Sequence, residues 1–383
     1  MLIRWSVVSL LAAFIFSFGL LMPQHNWDII GYVAASFYKD GYRGEALREK
    51  TYADVKAEVN EKDFAGLVAD GYRSTVYHDP VSLEQQVPFY TIKVVYVEGI
   101  RFLGKLGFTY SKSTYLISAI FAALSVIVVG LILASEKVPI LMLVPIILTT
   151  GYMYVSGLST SDAMACFFAI LALYSAQKTG NVALVLAGIM PAIRTDFIIF
   201  SVLLQLYYWL YGKKSFAVVS LLTSVAIYFA VNKLTGNYGW LTLFNFVFID
   251  LTPYPASLVP STDPASYVKP YFMAAYNLLR NPHFVIYSLA AYLIVPKLKN
   301  LETRFILLYF VIPALFVILH LALFPAYIDR YFVFAATMMF LGICIAEKHA
   351  VQEFFAMLSR AGLLTQFQHS LKKLLVLQPG IRR

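Results

Sequence analysis

The chain has 383 residues, of which 60% are hydrophobic and 13% are charged, and its mean hydropathy is +0.71. These values are typical of an integral membrane protein and exclude a nucleic-acid-binding domain and a disordered tail as the class of the whole chain. Cys166 and Cys344 both lie inside apolar segments, so we expect neither a disulfide nor a zinc site. The net charge of +9 does not by itself indicate an acidic partner, because the charges are strongly segregated along the chain.

The apolar residues form long blocks that predict an all-α, polytopic integral membrane protein with about ten transmembrane helices. The predicted crossings are 3–22, 113–134, 138–157, 161–177, 181–193, 197–212, 215–233, 284–296, 305–325 and 330–346. The first is interpreted as a retained membrane helix, because Leu21-Met22-Pro23-Gln24 is no signal-peptide cleavage site.

The distribution of lysine and arginine predicts the orientation of the chain. With the N-terminus in the cytoplasm, the inner segments hold fourteen basic residues and four acidic ones. This excess agrees with the positive-inside rule and predicts that both termini are cytoplasmic. The positive charge is then explained by orientation and by anionic membrane lipids.

Two polar segments face outward in this topology, 23–112 and 234–283. In the first, Asn26 is predicted to cap an amphipathic surface helix over 27–38. A second amphipathic stretch is predicted over 45–68, a loop over 71–88 and a further surface helix over 89–107. Residues 1–347 are expected to form one domain, followed by a basic amphipathic cytoplasmic tail over 348–383.

Charged residues gather at the predicted outer boundary of the membrane, where each must be paired, hydrated or functional. They occur at four places: Asp28, Asp162, the pair Arg194 and Asp196, and the stretch Asp329-Arg330-Tyr331. A polytopic protein with acids and arginines at one face, beneath a large outer loop, is expected to have an active site or a transport vestibule there.

The arrangement resembles the GT-C superfamily of membrane glycosyltransferases, in the branch of the lipid A aminoarabinose transferase and the protein O-mannosyltransferases. The motifs that carry the resemblance are Asp28 after the first helix, Pro88 to Tyr90 before the second crossing, Ser159 to Asp162, Arg194, and Arg330-Tyr331. The chain departs from larger relatives because it lacks a substantial C-terminal soluble domain. It also has Gln85-Gln86-Val87 before Pro88, where the relatives often carry a basic residue.

The resemblance implies a GT-C-like bundle in a plasma membrane or bacterial inner membrane, with an extracytoplasmic active site. It further implies transfer of a sugar from a polyprenyl-phosphate donor to a lipid, glycan or protein acceptor. We expect Asp28 to be the general base and Asp162 the second carboxylate. Arg194 and Arg330 are the candidates for the donor phosphate. Tyr331, Asp196, His78 and Glu84 complete the predicted substrate-binding residues.

Structural interpretations of the same residues stay open at this point. Asp28 and Asp162 could be helix N-terminal acids, Arg194 could pair with Asp196, and Arg330 could be an interfacial anchor. His320 is interpreted as a packing residue. His78, Asp79 and Glu84 could instead form a lid or a metal site with His25, or ordinary loop polarity. No cofactor is required, and a divalent metal stays an open alternative because the related enzymes differ in metal dependence.

A transporter or lipid flippase is the alternative function, and an assembly factor without activity is a third. The sequence shows no inverted repeat, and charges are nearly absent from the middle of the predicted spans, so the enzyme is favoured over the transporter.

Overall fold

The computed structural model describes residues 2–178 and 180–360, which are helical and contain no β-strand. The first eight helices are α1 (Leu2–Leu21), α2 (Asp28–Lys39), α3 (Gly44–Glu58), α4 (Glu61–Val68), α5 (Gly71–His78), α6 (Pro80–Thr91), α7 (Val94–Lys105) and α8 (Tyr110–Ser135). The next six are α9 (Leu143–Thr150), α10 (Tyr152–Ser156), α11 (Asp162–Gln177), α12 (Val182–Ile193), α13 (Ile198–Tyr211) and α14 (Lys214–Leu234). The last seven are α15 (Trp240–Phe248), α16 (Pro264–Arg280), α17 (Pro282–Ile294), α18 (Thr303–Ile306), α19 (Ile312–Leu323), α20 (Asp329–Ala346) and α21 (Lys348–Arg360). Short 3₁₀ helices cover Ile140–Met142, Thr195–Phe197, Pro255–Ser257 and Val295–Asn300, and a π-helical turn, Leu307–Val311, joins α18 to α19.

Several of these helices are long and apolar enough to cross a membrane, as the sequence predicts. Among the described residues there are five: Arg4–Leu21, Tyr110–Ser135, Lys214–Leu234, Thr303–Leu323 and Asp329–Ala346. A sixth is reached if α16 and the helix Pro282–Asn300, bent by 77° at their junction, are counted together. The structure therefore supports a helical membrane protein and does not confirm the ten predicted crossings, several of which are short.

The remaining apolar segments form shorter helices: Ile140–Thr150, Asp162–Gln177, Val182–Ile193 and Thr195–Tyr211. The segment predicted as one crossing over 138–157 is interrupted at Gly151, which has a φ of 97°. Glycine adopts this left-handed conformation at little cost, so it separates α9 from α10. Apolar composition alone does not show such a break.

The first outer segment is more helical than predicted. The predicted loop 71–88 is wrong, because α5 and α6 occupy it. Pro80 stands at the start of α6, where proline is tolerated, and the side chain of Asp79 caps the helix by accepting from the backbone N of Val81 at 2.9 Å.

Two further predicted outer helices are each divided in two, and one predicted cap is wrong. The stretch 45–68 is broken where Asn60 caps α4, and the stretch 89–107 is broken between α6 and α7. Asn26 does not cap the first surface helix, which begins at Asp28 after Trp27. Of the predicted tail 348–383, α21 covers Lys348–Arg360, and residues 361–383 lie outside the described residues.

Close packing at one end of the bundle brings distant segments together. A Cβ atom on Gly19 of α1 would lie 2.5 Å from the backbone oxygen of Ser156, so glycine permits α1 to approach α10 there. Just beyond, the backbone N of Gln24 donates to the oxygen of Gly157 at 2.8 Å. This contact aligns the segment before α2 with the segment before α11.

Candidate functional site

Asp28 is the first residue of α2, and its neighbours fix its carboxylate. Oδ2 accepts a hydrogen bond of 2.6 Å from Nδ2 of Asn26. Asn26 is fixed in turn, because its Oδ1 accepts from the backbone N of Ser159 at 3.1 Å. The other carboxylate oxygen, Oδ1, lies 3.4 Å from the hydroxyl of Tyr90. Asp28 is therefore held against the segment that leads to Asp162.

Tyr90 reaches Asp28 because α6 packs closely on α2. A Cβ atom on Gly31 would lie 2.2 Å from the ring of Tyr90. Any larger residue would therefore displace the ring. Tyr90 belongs to the Pro-Phe-Tyr stretch that the sequence analysis singled out, and the structure brings it to the predicted base.

Asp162 is the first residue of α11 and lies between two arginines. Its Oδ1 forms an ion pair with Nη1 of Arg194, and its Oδ2 lies 3.3 Å from Nε of Arg330. Only 3% of its side chain is exposed. Ser161 occupies the N-cap position of α11 and makes no side-chain cap bond, so Asp162 is an acid in the first turn of the helix and not its N-cap. A buried carboxylate of this kind needs both positive partners.

Arg194 follows the last residue of α12 and binds two carboxylates. Its Nε and Nη2 donate to the two oxygens of Asp196 at 3.0 and 2.7 Å, in addition to the Asp162 ion pair. The guanidinium also lies over the ring of Tyr331, 4.7 Å from its centroid. Arg194 thus pairs with Asp196, as considered above, but as part of a larger network.

Arg330, in the first turn of α20, joins Asp28 to Asp162. Nη1 donates to Oδ2 of Asp28 at 2.6 Å. Nε is buried and has no aligned hydrogen-bond acceptor among the described residues. Since only 16% of the side chain is exposed, Arg330 is a buried ion-pair partner and not a surface anchor.

His320 extends the network at its far end, although the sequence analysis interpreted it as packing. Its Nε2 lies 3.1 Å from Oδ2 of Asp196 and donates to it. Its Nδ1 is buried and has no partner among the described residues. Nothing in the sequence around His320 distinguishes it from a packing histidine, because Asp196 lies 124 positions away.

These side chains form one continuous series in which acidic and basic residues alternate, and we name it the charged chain. Its members in order are Asp28, Arg330, Asp162, Arg194, Asp196 and His320. Exposure is greatest at two carboxylates, 23% for Asp28 and 28% for Asp196, and only 3% at Asp162 and at His320. A ligand can therefore reach the charged chain near Asp28 and near Asp196, while Asp162 stays covered.

Lys93 lies within electrostatic range of the charged chain, although no role was predicted for it from the sequence. It is half-buried, and its Nζ donates to the backbone oxygen of Phe89 at 2.5 Å. Burial, followed by the positive charge of Arg194, lowers the pKa of Lys93 to about 8. Lys93 lies three residues after Tyr90 on the same outer segment. This position is the sequence signal that could have identified Lys93 as a candidate site residue.

Two predicted substrate-binding residues lie apart from the charged chain. The Oε2 of Glu84 accepts from the backbone N of Gly44 at 3.0 Å, at the start of α3. His78 ends α5 and packs edge-on against Tyr77. Among the described residues neither makes a contact with the charged chain. Glu84 serves the packing of the outer helices, whereas Tyr331 and Asp196 do contact Arg194.

The metal alternative has no support in the arrangement of ligands. In residues 2–178 and 180–360 there is no group of three or more His, Cys, Asp and Glu side chains that could hold a metal ion. The three aspartates of the charged chain are instead engaged by arginines.

Comparisons of the chain with protein-family models, with curated proteins and with solved structures find no match.

Proposed function

We propose that this chain is a glycosyltransferase that moves a sugar from a polyprenyl-phosphate donor to an acceptor at the extracytoplasmic face of the membrane. One observation carries the proposal: acids and arginines from four distant parts of the sequence form one charged chain at the end where α2, α11 and α20 begin. Transfer from a lipid phosphate needs a base, cations for the leaving phosphate and access from the membrane.

Asp28 is the general base in this proposal, and the structure favours one of its two oxygens. Oδ2 already accepts from Asn26 and from Arg330. Oδ1 has only the hydroxyl of Tyr90 at 3.4 Å, which is long for an O–H···O hydrogen bond. Oδ1 is therefore the oxygen that takes the proton of the acceptor's nucleophile. Asn26 and Arg330 hold the carboxylate in place.

Asp162 has a different role from Asp28. Because it is covered and paired with both arginines, it acts through them and is a positioning residue. It balances the charge of Arg330 and Arg194 before the donor binds. This refines the predicted role as a second carboxylate that orients the acceptor or the sugar.

The donor phosphate is bound by Arg330 and Arg194, with Lys93 as a third cation. A guanidinium offers several N–H donors in a fixed plane, so it can keep an aspartate and still donate to a phosphate oxygen. The ammonium of Lys93 supplies further donors. These cations stabilise the negative charge that develops on the leaving polyprenyl phosphate.

A single direct displacement follows from this arrangement. The acceptor loses its proton to Asp28 as its nucleophilic atom bonds to the anomeric carbon, and the bond from that carbon to the phosphate oxygen breaks. The anomeric configuration is then inverted, with no covalent sugar-enzyme intermediate. A product of retained configuration would contradict this mechanism.

The test is sugar release or transfer from a panel of radiolabelled polyprenyl-phosphate sugars by the purified chain in nanodiscs. The proposal expects at least one donor to be consumed by the wild-type protein. If no donor in a broad panel is bound or consumed, the glycosyltransferase proposal is wrong. The leading alternatives are then a transporter, in particular a lipid flippase, and an assembly factor without activity.

A further inference from the structure

A cavity lies at the opposite end of the same helices. Gln177 ends α11, whose first residue is Asp162, and Ile345 lies near the end of α20, whose second residue is Arg330. At 1.5 Å per residue, the 16 residues of α11 separate the two ends by about 24 Å. A cavity of about 510 Å³ opens at this far end and is lined by both residues.

The polar wall of this cavity is built by an ordered set of hydrogen bonds. The hydroxyl of Tyr309 donates to Oε1 of Gln177 at 2.9 Å, and Nε2 of Gln177 donates to Oε1 of Glu136 at 2.5 Å. Tyr309 is almost fully buried. These contacts fix the ends of α8 and α11 against the helix Thr303–Leu323, so the cavity does not depend on a loose loop.

An irregular turn of helix forms the floor of the cavity. Leu308 and Tyr309 belong to the π-helical turn Leu307–Val311, and both line the cavity. Short π-helical turns inside α-helices are rare and occur frequently at functional sites. The turn and the cavity are independent observations that identify the same place.

The charges around the cavity favour an anion. Lys178, Arg304 and Lys348 line it, together with the two carboxylates of Glu136 and Glu302. The carboxylate of Glu136 is engaged by Gln177. Among the described residues, neither Arg304 nor Lys348 forms a salt bridge. Arg304 has one long hydrogen bond, from Nη2 to the backbone oxygen of Tyr211 at 3.5 Å, so both cations can bind an anion.

The apolar wall favours a ligand with a hydrocarbon part. Leu308 and Ile345 lie on helices that are long and apolar enough to cross a membrane. A headgroup in the cavity would therefore leave its acyl chains against membrane-spanning helices. Basic pockets between membrane helices bind anionic lipid headgroups in this way. The volume also lies in the range of small-molecule sites.

We infer that this cavity binds the phosphate-bearing headgroup of an anionic phospholipid, with Arg304 and Lys348 on the phosphate and Leu308 and Ile345 against the acyl chains. The inference does not depend on the proposed glycosyl transfer. The same phosphate chemistry could come from a soluble phosphate compound, and the experiment separates the two sources.

The experiment measures lipid binding by the full chain purified in detergent, by native mass spectrometry and by the midpoint of thermal unfolding. The probes are phosphatidylglycerol, phosphatidylcholine and inorganic phosphate. The variant is the double substitution Arg304→Gln and Lys348→Gln. The matched control is Lys213→Gln with Lys299→Gln, which removes two charges from the same end but outside the cavity. Midpoints without lipid show whether each variant folds.

We expect phosphatidylglycerol to bind and stabilise both the wild type and the control. The cavity variant should lose roughly tenfold or more in affinity for phosphatidylglycerol, because hydrogen bonds from charged groups are removed. An equal loss in the control would mean nonspecific electrostatic attraction and would overturn the inference. Equal binding of phosphatidylcholine would overturn the preference for an anion. If inorganic phosphate alone saturates the cavity, the ligand is a soluble phosphate compound and the proposal of a lipid is wrong.

Discussion

Arg330 donates a hydrogen bond of 2.6 Å to the carboxylate of Asp28, although 302 positions separate the two residues in the sequence. The contact joins the first turn of α20 to the first turn of α2, near the two ends of the membrane domain. Because Arg330 also approaches Asp162, a single guanidinium fixes the positions of both predicted catalytic carboxylates relative to each other. Its geometry is therefore the first feature to test.

Replacing Arg330 by lysine should impair the site although the charge is kept. One ammonium cannot reproduce contacts that Nη1 and Nε make to two separate aspartates. Loss of one charge-assisted hydrogen bond costs about 1.5–3 kcal/mol, so transfer should fall roughly 10- to 100-fold. The control is Arg101→Lys, since Arg101 also contacts two acids, Asp40 and Glu98, but lies outside the charged chain. Equal transfer rates for the two variants would contradict the role of Arg330.

Replacing Arg194 by glutamine should destabilise the fold. Asp162 is almost fully buried, and removal of one partner from a buried ion pair costs about 3–5 kcal/mol. Adding Asp162→Asn should restore part of that loss, because the uncompensated charge is then removed. The free energy of unfolding can be measured by denaturant titration in micelles. Arg73→Gln, in the exposed pair with Asp70, is the control and should cost about 0–1 kcal/mol.

Donor binding should weaken as the pH rises through about 8, because Lys93 has its pKa near that value. Below this pH the ammonium is charged and can bind the phosphate; above it the amine is neutral. Lys93→Arg should keep the charge and move the alkaline loss of affinity to higher pH. Lys93→Gln should bind weakly throughout, and the exposed Lys105→Arg should behave as wild type. An unchanged pH profile in Lys93→Arg would exclude Lys93 from the phosphate site.

Gly31→Ala should reduce transfer by displacing Tyr90 from Asp28. The added methyl group would lie 2.2 Å from the Tyr90 ring, and overpacking of this kind costs about 1–3 kcal/mol. Gly66→Ala is the matched control, because no atom lies within 4 Å of a Cβ built there. Both transfer and thermal stability should be measured. If Gly31→Ala is as active and as stable as Gly66→Ala, the packing of Tyr90 does not matter to the site.

The membrane character of the protein and several members of the charged chain could be predicted from the sequence for a physical reason. Charges are costly at membrane depth, so Asp28, Asp162 and Arg194 stood out against apolar surroundings. His320 did not stand out in the same way. It is identified only by which helices pack together, since its partner Asp196 lies 124 positions away, and a single sequence carries no signal for that packing.

The number of crossings and the outer helices were predicted less well because local signals are ambiguous. Apolar segments such as Val182–Ile193 have the composition of a membrane span but are too short to be counted as one. The predicted loop 71–88 contains two prolines, but Pro80 begins α6 and Pro88 lies inside it. Proline is tolerated at the first position of a helix because the N–H that it lacks would have no partner there.

The most direct test compares sugar transfer by wild type, Asp28→Asn and Asp40→Asn, with donor binding measured in parallel. Asparagine at position 28 keeps an oxygen for Arg330 but cannot take the acceptor's proton, whereas Asp40 pairs with Arg101 outside the charged chain. Transfer by Asp28→Asn should fall by about 10²- to 10⁴-fold with donor binding retained, while Asp40→Asn stays active. A folded Asp28→Asn protein with full turnover would contradict the role of Asp28 as the base.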